Sequence, residues 1–284
     1  MADTKSVLLE YDPTCSQTLH SCLVLTRWDN STLKEALLDS SPLFFVLTNT
    51  RGMNAEQAAT VTREVCQNLQ QTLVALSESG EPINIILVSR SDSTLRGHYP
   101  VETDVIAEEL GPFDAHFLTP ACFEGGRITR DSVHSLMFDN EAVPVHQTEY
   151  ANDSVFGFKH SYLPDYVEEK TKGRIKAGDV QRFTLEDVRG NIQSRLFELK
   201  DNACCVVDGE CQADLDSFSQ QLRDAASQGK RYLFRSAASL LTSLAKLPTQ
   251  PIAAESMCEY VRGNKPGAVI VGSHVKKTTS QLAE

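Results

Sequence analysis

The chain has 284 residues, 41% of them hydrophobic and 23% charged, with a formal net charge of −11 at pH 7. Such a composition indicates a folded globular protein rather than a disordered chain. The acidic balance argues against nucleic acid as a partner, because phosphates demand clustered Lys and Arg. No apolar run approaches the roughly 20 residues that a membrane span needs, so we expect no membrane partner.

The cysteines indicate a reducing compartment. They are scattered without a CxxC pair, which predicts neither a zinc framework nor a redox motif. Cys22, Cys66 and Cys204 lie inside apolar patterns and are interpreted as small core residues. The polar residues 1–6 lack the apolar core of a signal peptide. We therefore expect a cytoplasmic chain.

Short β-rich apolar runs begin the chain. Residues 7–9, 22–26, 43–47 and 83–88 have this pattern, which predicts buried strands of a parallel sheet. Between the last two runs, residues 54–77 carry apolar side chains at spacings of three and four, which predicts an amphipathic helix with Asn54 as its N-cap.

The alternation of strands and helices continues to residue 234. It predicts a helix at 101–110, a strand at 115–118, a helix from about residue 184, a strand at 203–207, a helix at 214–227 and a strand at 232–234. Residues 127–176 have poor periodicity and are expected to form excursions over the sheet. The alternation implies crossover connections. We therefore predict an α/β fold, with a doubly wound, mostly parallel sheet and helices on both faces.

Three regions are predicted along the chain. Residues 1–246 form one domain, and residues 247–267 form a linker rich in Pro and Gly. Residues 268–284 carry a further strand and the polar start of a helix. We expect these last residues to be the opening of a second domain.

Polar loops follow four of the predicted strands, at residues 10–14, 48–51, 89–98 and 120–127. Ligands of open α/β sheets bind at the carboxyl ends of strands. Three of these loops contain arginine, whose guanidinium group can pair with a carboxylate. All four contain an acid or amide side chain, which can hydrogen-bond hydroxyl groups. The loops therefore favour a small polyhydroxy acid as ligand, with Arg51 and Arg96 converging on one cleft. In an alternative interpretation, Arg90, Arg96 and Arg127 form only surface ion pairs.

Several other chemistries lack their motifs. No Walker sequence, GxGxxG or GxSxG occurs. His98, His134 and His146 lack the spacing of metal ligands and are interpreted as structural or surface residues, so no metal site is predicted. The pair Gly125 and Gly126 allows close backbone approach to a ligand, or a simple tight turn.

The loops together resemble the four-carbon acid sugar kinases. The strongest match is the string DSTLRG at residues 92–97, which follows a strand. Residues 12–18 are similar to the Asp-rich N-terminal loop of that family, residues 47–51 to its LTNSR segment and residues 120–127 to its PA…GR loop. Residues 271–274 are similar to the first strand and loop of its ATP-binding domain.

This resemblance implies ATP-dependent phosphorylation of a four-carbon sugar acid such as threonate, erythronate or oxo-tetronate, with Mg²⁺ as the implied metal. It implies catalytic roles for Asp12 and Asp92. The implied substrate contacts are Asp12, Asn49, Arg51, Asp92, Ser93, Thr94, Arg96 and Gly125, and the implied nucleotide contacts are Gly272, Ser273 and His274. A homo-oligomer is a further expectation.

The chain departs from the family pattern in its first loop. Glu10, Tyr11 and Cys15 stand where the family has consecutive aspartates and a glycine. A lost aspartate removes a contact to a hydroxyl or its proton, and a lost glycine disfavours a turn with positive φ. A second hypothesis therefore stays open, in which the chain is a non-catalytic remnant that binds a ligand or partner without turnover.

Overall fold

The computed structural model describes residues 4–13, 19–20, 22–138, 141–246 and 276–283, with residues 256, 263 and 271. The chain divides into two compact units, Met1–Leu247 and Pro248–Glu284. In the described residues the strands are β1 Thr4–Glu10, β2 Leu23–Leu25, β3 Leu43–Leu47, β4 Asn84–Arg90, β5 Ala115–Thr119, β6 Arg127–Arg130, β7 Val133–Phe138, β8 Glu141–Pro144, β9 Gln181–Phe183, β10 Ala203–Val207 and β11 Tyr232–Ser236. The helices are α1 Asn30–Leu38, α2 Ala55–Glu78, α3 Val101–Leu110, α4 Leu163–Lys170, α5 Leu185–Arg189, α6 Gln193–Glu198, α7 Gln212–Ser227, α8 Ala238–Ala245 and α9 Lys276–Ala283.

The main sheet of the first unit has the strand order β2-β3-β1-β4-β11-β5-β10-β9 in the described chain. Every neighbouring pair in it is parallel. Side chains of β1 alternate between two hydrophobic cores, with Leu8 in one and Val7 and Leu9 in the other. Helices α1, α2 and α3 cover one face, and α5, α6, α7 and α8 cover the other. The predicted doubly wound α/β fold is confirmed.

Helix α2 shows why the local prediction succeeded. Its N-cap, Asn54, accepts a hydrogen bond from the backbone N–H of Gln57 at 2.9 Å, and the side chain of Gln57 accepts one from the Asn54 N–H at 3.1 Å. This reciprocal pair satisfies two first-turn donors. Val65, Leu69 and Leu76 of its apolar face are buried.

The stretch at residues 127–176 is more regular than the sequence predicted. Strands β6, β7 and β8 form a separate antiparallel sheet, and α4 follows them. The strands are short and do not alternate cleanly between buried and exposed positions, so they leave no period-2 signal. We call residues 127–176 the excursion. Helices α1 and α8 were also not predicted.

The second unit contains α9, at the polar segment expected to begin a helix. The predicted strand at 268–271 and linker at 247–267 lie largely outside the described residues. Across the described part of the chain, no helix combines the length and apolarity that crossing a membrane requires.

Candidate functional site

Three neighbouring strands end at one edge of the main sheet, and each runs into a polar loop. The order β3-β1-β4 places the loops after Glu10, Leu47 and Arg90 side by side, because the carboxyl ends of parallel strands share an edge. The backbone N–H of Arg51 donates to the carbonyl oxygen of Tyr11 at 3.1 Å, which ties two of these loops together. The predicted contact residues in these loops are therefore neighbours in space.

Arg51 is held by one edge of its guanidinium group. Nη1 donates to Oδ2 of Asp12 at 2.9 Å and to the hydroxyl oxygen of Tyr11 at 3.1 Å. The guanidinium carbon also lies 5.5 Å from the centre of the Tyr11 ring, a cation–π distance. Nη2 lies 3.9 Å from Oδ2 of Asp92, which is beyond hydrogen-bond length. The Nη2 edge is therefore the one that can meet a ligand.

The loop after β4, residues 91–97, is folded around the side chain of Asp92. We call it the β4 loop. Oδ1 of Asp92 accepts from the Thr94 N–H at 3.2 Å, and Oδ2 accepts from the Thr94 hydroxyl at 2.7 Å and from Nε of Arg96 at 2.6 Å. Nη2 of Arg96 has no hydrogen-bond partner among the described residues. Arg96, like Arg51, is thus fixed on one edge and available on the other.

Arg51 and Arg96 converge on one carboxylate, as their positions after β3 and β4 predicted. Both approach Oδ2 of Asp92, Arg96 at 2.6 Å and Arg51 at 3.9 Å. Arg96 does form an ion pair, with Asp92, but the alternative interpretation of a surface pair is wrong for it. The side chains of Asp92 and Arg96 are only 11% and 18% exposed. The result is a partly buried row of alternating charges from Asp12 to Arg96.

The excursion supplies further contacts to Arg96. The Tyr150 ring centre lies 5.0 Å from its guanidinium carbon, and Oδ2 of Asp153 lies 3.6 Å from its Nη1. Burial raises the pKa of Asp153, but hydrogen bonds from the backbone N–H groups of Phe156 and Val155, together with Arg96, lower it overall. Asp153 therefore stands beside Arg96 as a carboxylate.

The β4 loop is conformationally strained and is held from outside. Leu95 has a φ of 64° and Gly97 a φ of 123°, and a left-handed conformation costs a non-glycine residue about 1–2 kcal/mol. The hydroxyl of Tyr166 donates to the Leu95 carbonyl oxygen at 2.8 Å. Nε2 of His134 lies 2.8 Å from the carbonyl oxygen of Ser93. Two carbonyl groups of the loop are therefore anchored by the excursion.

The environment of His134 sets its protonation. Burial lowers its pKa to about 4, so the ring is neutral near pH 7. The Ser93 carbonyl can only accept, so Nε2 carries the proton and Nδ1 accepts from the Thr129 hydroxyl at 2.9 Å. His98 also contacts backbone carbonyl groups, since its Nε2 lies 3.0 Å from the carbonyl oxygens of both Thr50 and Met53. These histidines are structural, as their spacing indicated.

Beneath the loops lies a buried ionic floor. Nη1 of Arg235 donates to Oε2 of Glu102 at 2.6 Å, and the Thr50 hydroxyl donates to Oε1 of the same carboxylate at 2.5 Å. Beside it, Nε of Arg90 lies 3.7 Å from Oε2 of Glu10. All of these side chains are buried. Glu10, a departure from the family pattern, thus serves as the partner of a buried arginine.

The other predicted contact residues differ in exposure and in hydrogen bonding. Asn49 is exposed and left-handed, with a φ of 55°, a conformation that Asn tolerates. Thr94 is buried and its hydroxyl is engaged within the β4 loop, while half-buried Ser93 contributes its carbonyl oxygen to His134. Gly125 accepts a hydrogen bond from Arg127 at its carbonyl oxygen, and no contact recorded in the described residues joins it to the arginine pair. Gly272, Ser273 and His274 lie outside the described residues.

Sequence reasoning did not connect His134 with this site, and it did not single out Tyr150, Tyr166 or Arg235. The last of these stands at the carboxyl end of β11, a position that the rule on strand ends could have flagged. Local pattern offered no signal for the other three, because they reach the β4 loop from the excursion. In the described ranges, no group of three or more His, Cys, Asp or Glu side chains is placed to hold a metal ion.

Comparison with known proteins identifies the family. The family model described as the sugar-binding N-terminal domain matches residues 7–244 of this sequence. A domain of unknown function (DUF1537) from Bordetella bronchiseptica, solved as a domain-swapped dimer with bound citrate, shares 21% identity at a TM-score of 0.61, over 86% of this chain and 57% of that one. A Haemophilus influenzae protein of the same DUF1537 family shares 18% identity at a TM-score of 0.60, over 84% of this chain and 55% of that one.

At these identities the two structures establish the fold alone. This chain spans little more than half the length of either relative. No curated protein matches it significantly. The family model, by contrast, covers most of the sequence and nearly all of the first unit. The chain belongs to the family of sugar-binding N-terminal domains.

Proposed function

We propose that this chain binds the acid substrate of an ATP-dependent kinase that phosphorylates four-carbon sugar acids. One observation carries the proposal: Arg51 and Arg96 converge on Asp92, each held on one edge and available on the other. A guanidinium edge is suited to a carboxylate, since it donates charge-assisted hydrogen bonds in a planar fork.

The carboxylates of the same row would accept hydrogen bonds from the hydroxyl groups of the substrate. Asp12 and Asp92 have side chains that are 14% and 11% exposed, so each lies near the surface of the cleft. In phosphoryl transfer, an aspartate that accepts the proton of the attacking hydroxyl positions the nucleophile. We assign this role to Asp12 or Asp92.

Two properties of the Bordetella relative support the proposal by analogy. That protein was solved with citrate, a small hydroxy acid, and as a domain-swapped dimer. A cleft with two arginines and several carboxylates suits the same ligand chemistry in this chain. The dimer makes a homo-oligomer a reasonable part of the proposal.

The nucleotide belongs to the proposal through the resemblance. The described residues do not fit a metal site of three or more acidic, His or Cys ligands, and the residues implied for ATP are outside them. The described residues would bind and orient the acid, and Asp12 or Asp92 would accept the proton of its attacking hydroxyl group.

Two assays test the proposal. Titration calorimetry with D-erythronate, D-threonate and citrate measures acid binding without nucleotide. A coupled ADP-release assay, with this chain joined to a complete C-terminal domain, measures transfer from Mg-ATP. Binding of a tetronate together with ADP release supports the kinase. Binding without turnover supports the non-catalytic binder instead, a hypothesis motivated by the departures from the family pattern at Glu10 and Tyr11. Absence of binding refutes both hypotheses.

A further inference from the structure

Arg235 is the most deeply buried arginine near the site. It is 3% exposed, and it lies at the carboxyl end of β11, between β4 and β5. Nη1 is fully engaged, with Ser89 Oγ and Glu102 Oε2 each at 2.6 Å and the Arg90 carbonyl oxygen at 3.3 Å. Nη2 has no hydrogen-bond partner in the described chain.

The position of Nη2 depends on Gly97. A Cβ atom at this residue would lie 2.6 Å from Nη2, well inside van der Waals contact. Its φ of 123° also excludes side chains on conformational grounds. Glycine therefore lets the backbone of the β4 loop close over the guanidinium group.

Arg235 also lines a small pocket beneath the β4 loop. Asp92, Arg96 and Tyr166 line the same pocket. A buried charged donor without an acceptor is costly, so this edge of Arg235 calls for an oxygen atom from outside the described residues. Because Arg96 and Arg235 line the same pocket, a ligand atom that enters it lies near both arginines.

We infer that Arg235 forms the floor of the acid site and that its Nη2 donates a hydrogen bond to an oxygen of the bound acid. The inference rests on the proposed function and adds a third arginine to the predicted pair. Arg51 and Arg96 meet the ligand at the rim, and Arg235 meets it from below. The pocket has an accessible volume of about 10 Å³, room for about one water-sized atom, so only a single oxygen atom of the acid, from a hydroxyl group or from one side of a carboxylate, can make this contact.

Calorimetry on the full chain with D-erythronate, D-threonate and citrate tests the inference. In Arg235→Lys, the ammonium group can still pair with Glu102 but loses the second donor edge. We expect the affinity for the acid that the wild type binds to fall about tenfold to hundredfold, the usual weight of a charge-assisted hydrogen bond. The matched control is Arg231→Lys, just before the amino end of the same strand, where Nη2 bonds the Leu110 carbonyl oxygen away from the site. It should leave affinity unchanged.

Equal affinity in the wild type and a folded Arg235→Lys variant would overturn the inference. If that variant does not fold, a crystal structure of the wild type with bound acid decides. An acid oxygen within hydrogen-bond distance of Nη2 supports the inference, and an ordered water in that place refutes it. Acid binding without ADP release removes the kinase proposal and leaves this one standing, whereas a wild type that binds no acid removes both.

Discussion

Nε of Arg96 donates a hydrogen bond to Oδ2 of Asp92 over 2.6 Å. This bond fixes the orientation of the Arg96 guanidinium plane. The Thr94 hydroxyl donates to the same carboxylate oxygen and fixes Asp92 in turn. The orientation of the remaining Arg96 edge is therefore set before any ligand arrives. Such preorganisation reduces the conformational entropy lost on binding.

Arg96→Ala should weaken acid binding about tenfold to hundredfold, because it removes a charge-assisted hydrogen bond. Arg96→Lys should restore little of this, since an ammonium group cannot keep the bond to Asp92 and present a second edge. Calorimetry measures both. Arg130→Ala is the control, because Arg130 pairs with Glu210 at an exposed position. Full rescue by Lys would contradict the fork geometry.

Tyr166→Phe should weaken acid binding about twofold to tenfold, in line with a neutral hydrogen bond. The change removes only the hydroxyl that donates to the Leu95 carbonyl oxygen at 2.8 Å, so the β4 loop loses a support. Tyr232→Phe is matched to it, since that hydroxyl donates to the Leu196 carbonyl oxygen at 3.1 Å. Both variants should melt at a lower temperature. If both also lose affinity equally, Tyr166 has no special part in positioning the loop.

His134→Gln should flatten the acid limb of the stability profile. Burial lowers the folded-state pKa of His134 from 6.5 to about 4, so between these values the unfolded chain binds more protons than the folded one. Stability therefore falls as pH decreases through this window, by about 3 kcal/mol in total. Urea unfolding at pH 7.5 and pH 4.5 measures the loss. A variant whose loss equals that of the wild type would show that His134 is protonated while folded.

Asp208→Asn should stabilise the protein at pH 8 by about 1–3 kcal/mol. Asp208 is buried at the end of β10, and burial raises its pKa to about 6. Its Oδ1 accepts from the Ser132 N–H at 2.9 Å, and Oδ2 lacks a hydrogen-bond partner in the described chain. The amide keeps the acceptor and removes the charge.

The sign of this effect is opposite to that of His134. The folded state holds the Asp208 proton up to about pH 6, so this carboxyl group favours folding more as pH falls from 6 towards 4. The gain in Asp208→Asn should thus shrink at pH 4.5 in the same urea experiment. The exposed Asp179→Asn serves as the control. A loss of stability at pH 8 would mean that the carboxylate has a partner that the amide cannot replace.

The amino-acid sequence by itself determined the parts of this protein that depend on neighbours along the chain. Apolar runs marked β1, β3 and β4, and Asn54 marked the start of α2. Because the carboxyl ends of parallel strands share an edge, the convergence of Arg51 and Arg96 could be predicted without a structure. The strands and the helix start follow from local period and caps, and the convergence follows from the general rule on strand ends.

Only the tertiary structure decided what lies under and beside the β4 loop. The insertion of β11 between β4 and β5 brings Arg235 to Glu102, 133 residues away in sequence. The excursion brings Tyr166 to Leu95 across 71 residues and His134 to Ser93 across 41. Strand order and such contacts depend on packing between distant segments. Local periodicity does not encode that packing, because the sequence around a buried His or Tyr does not specify which carbonyl group its side chain contacts.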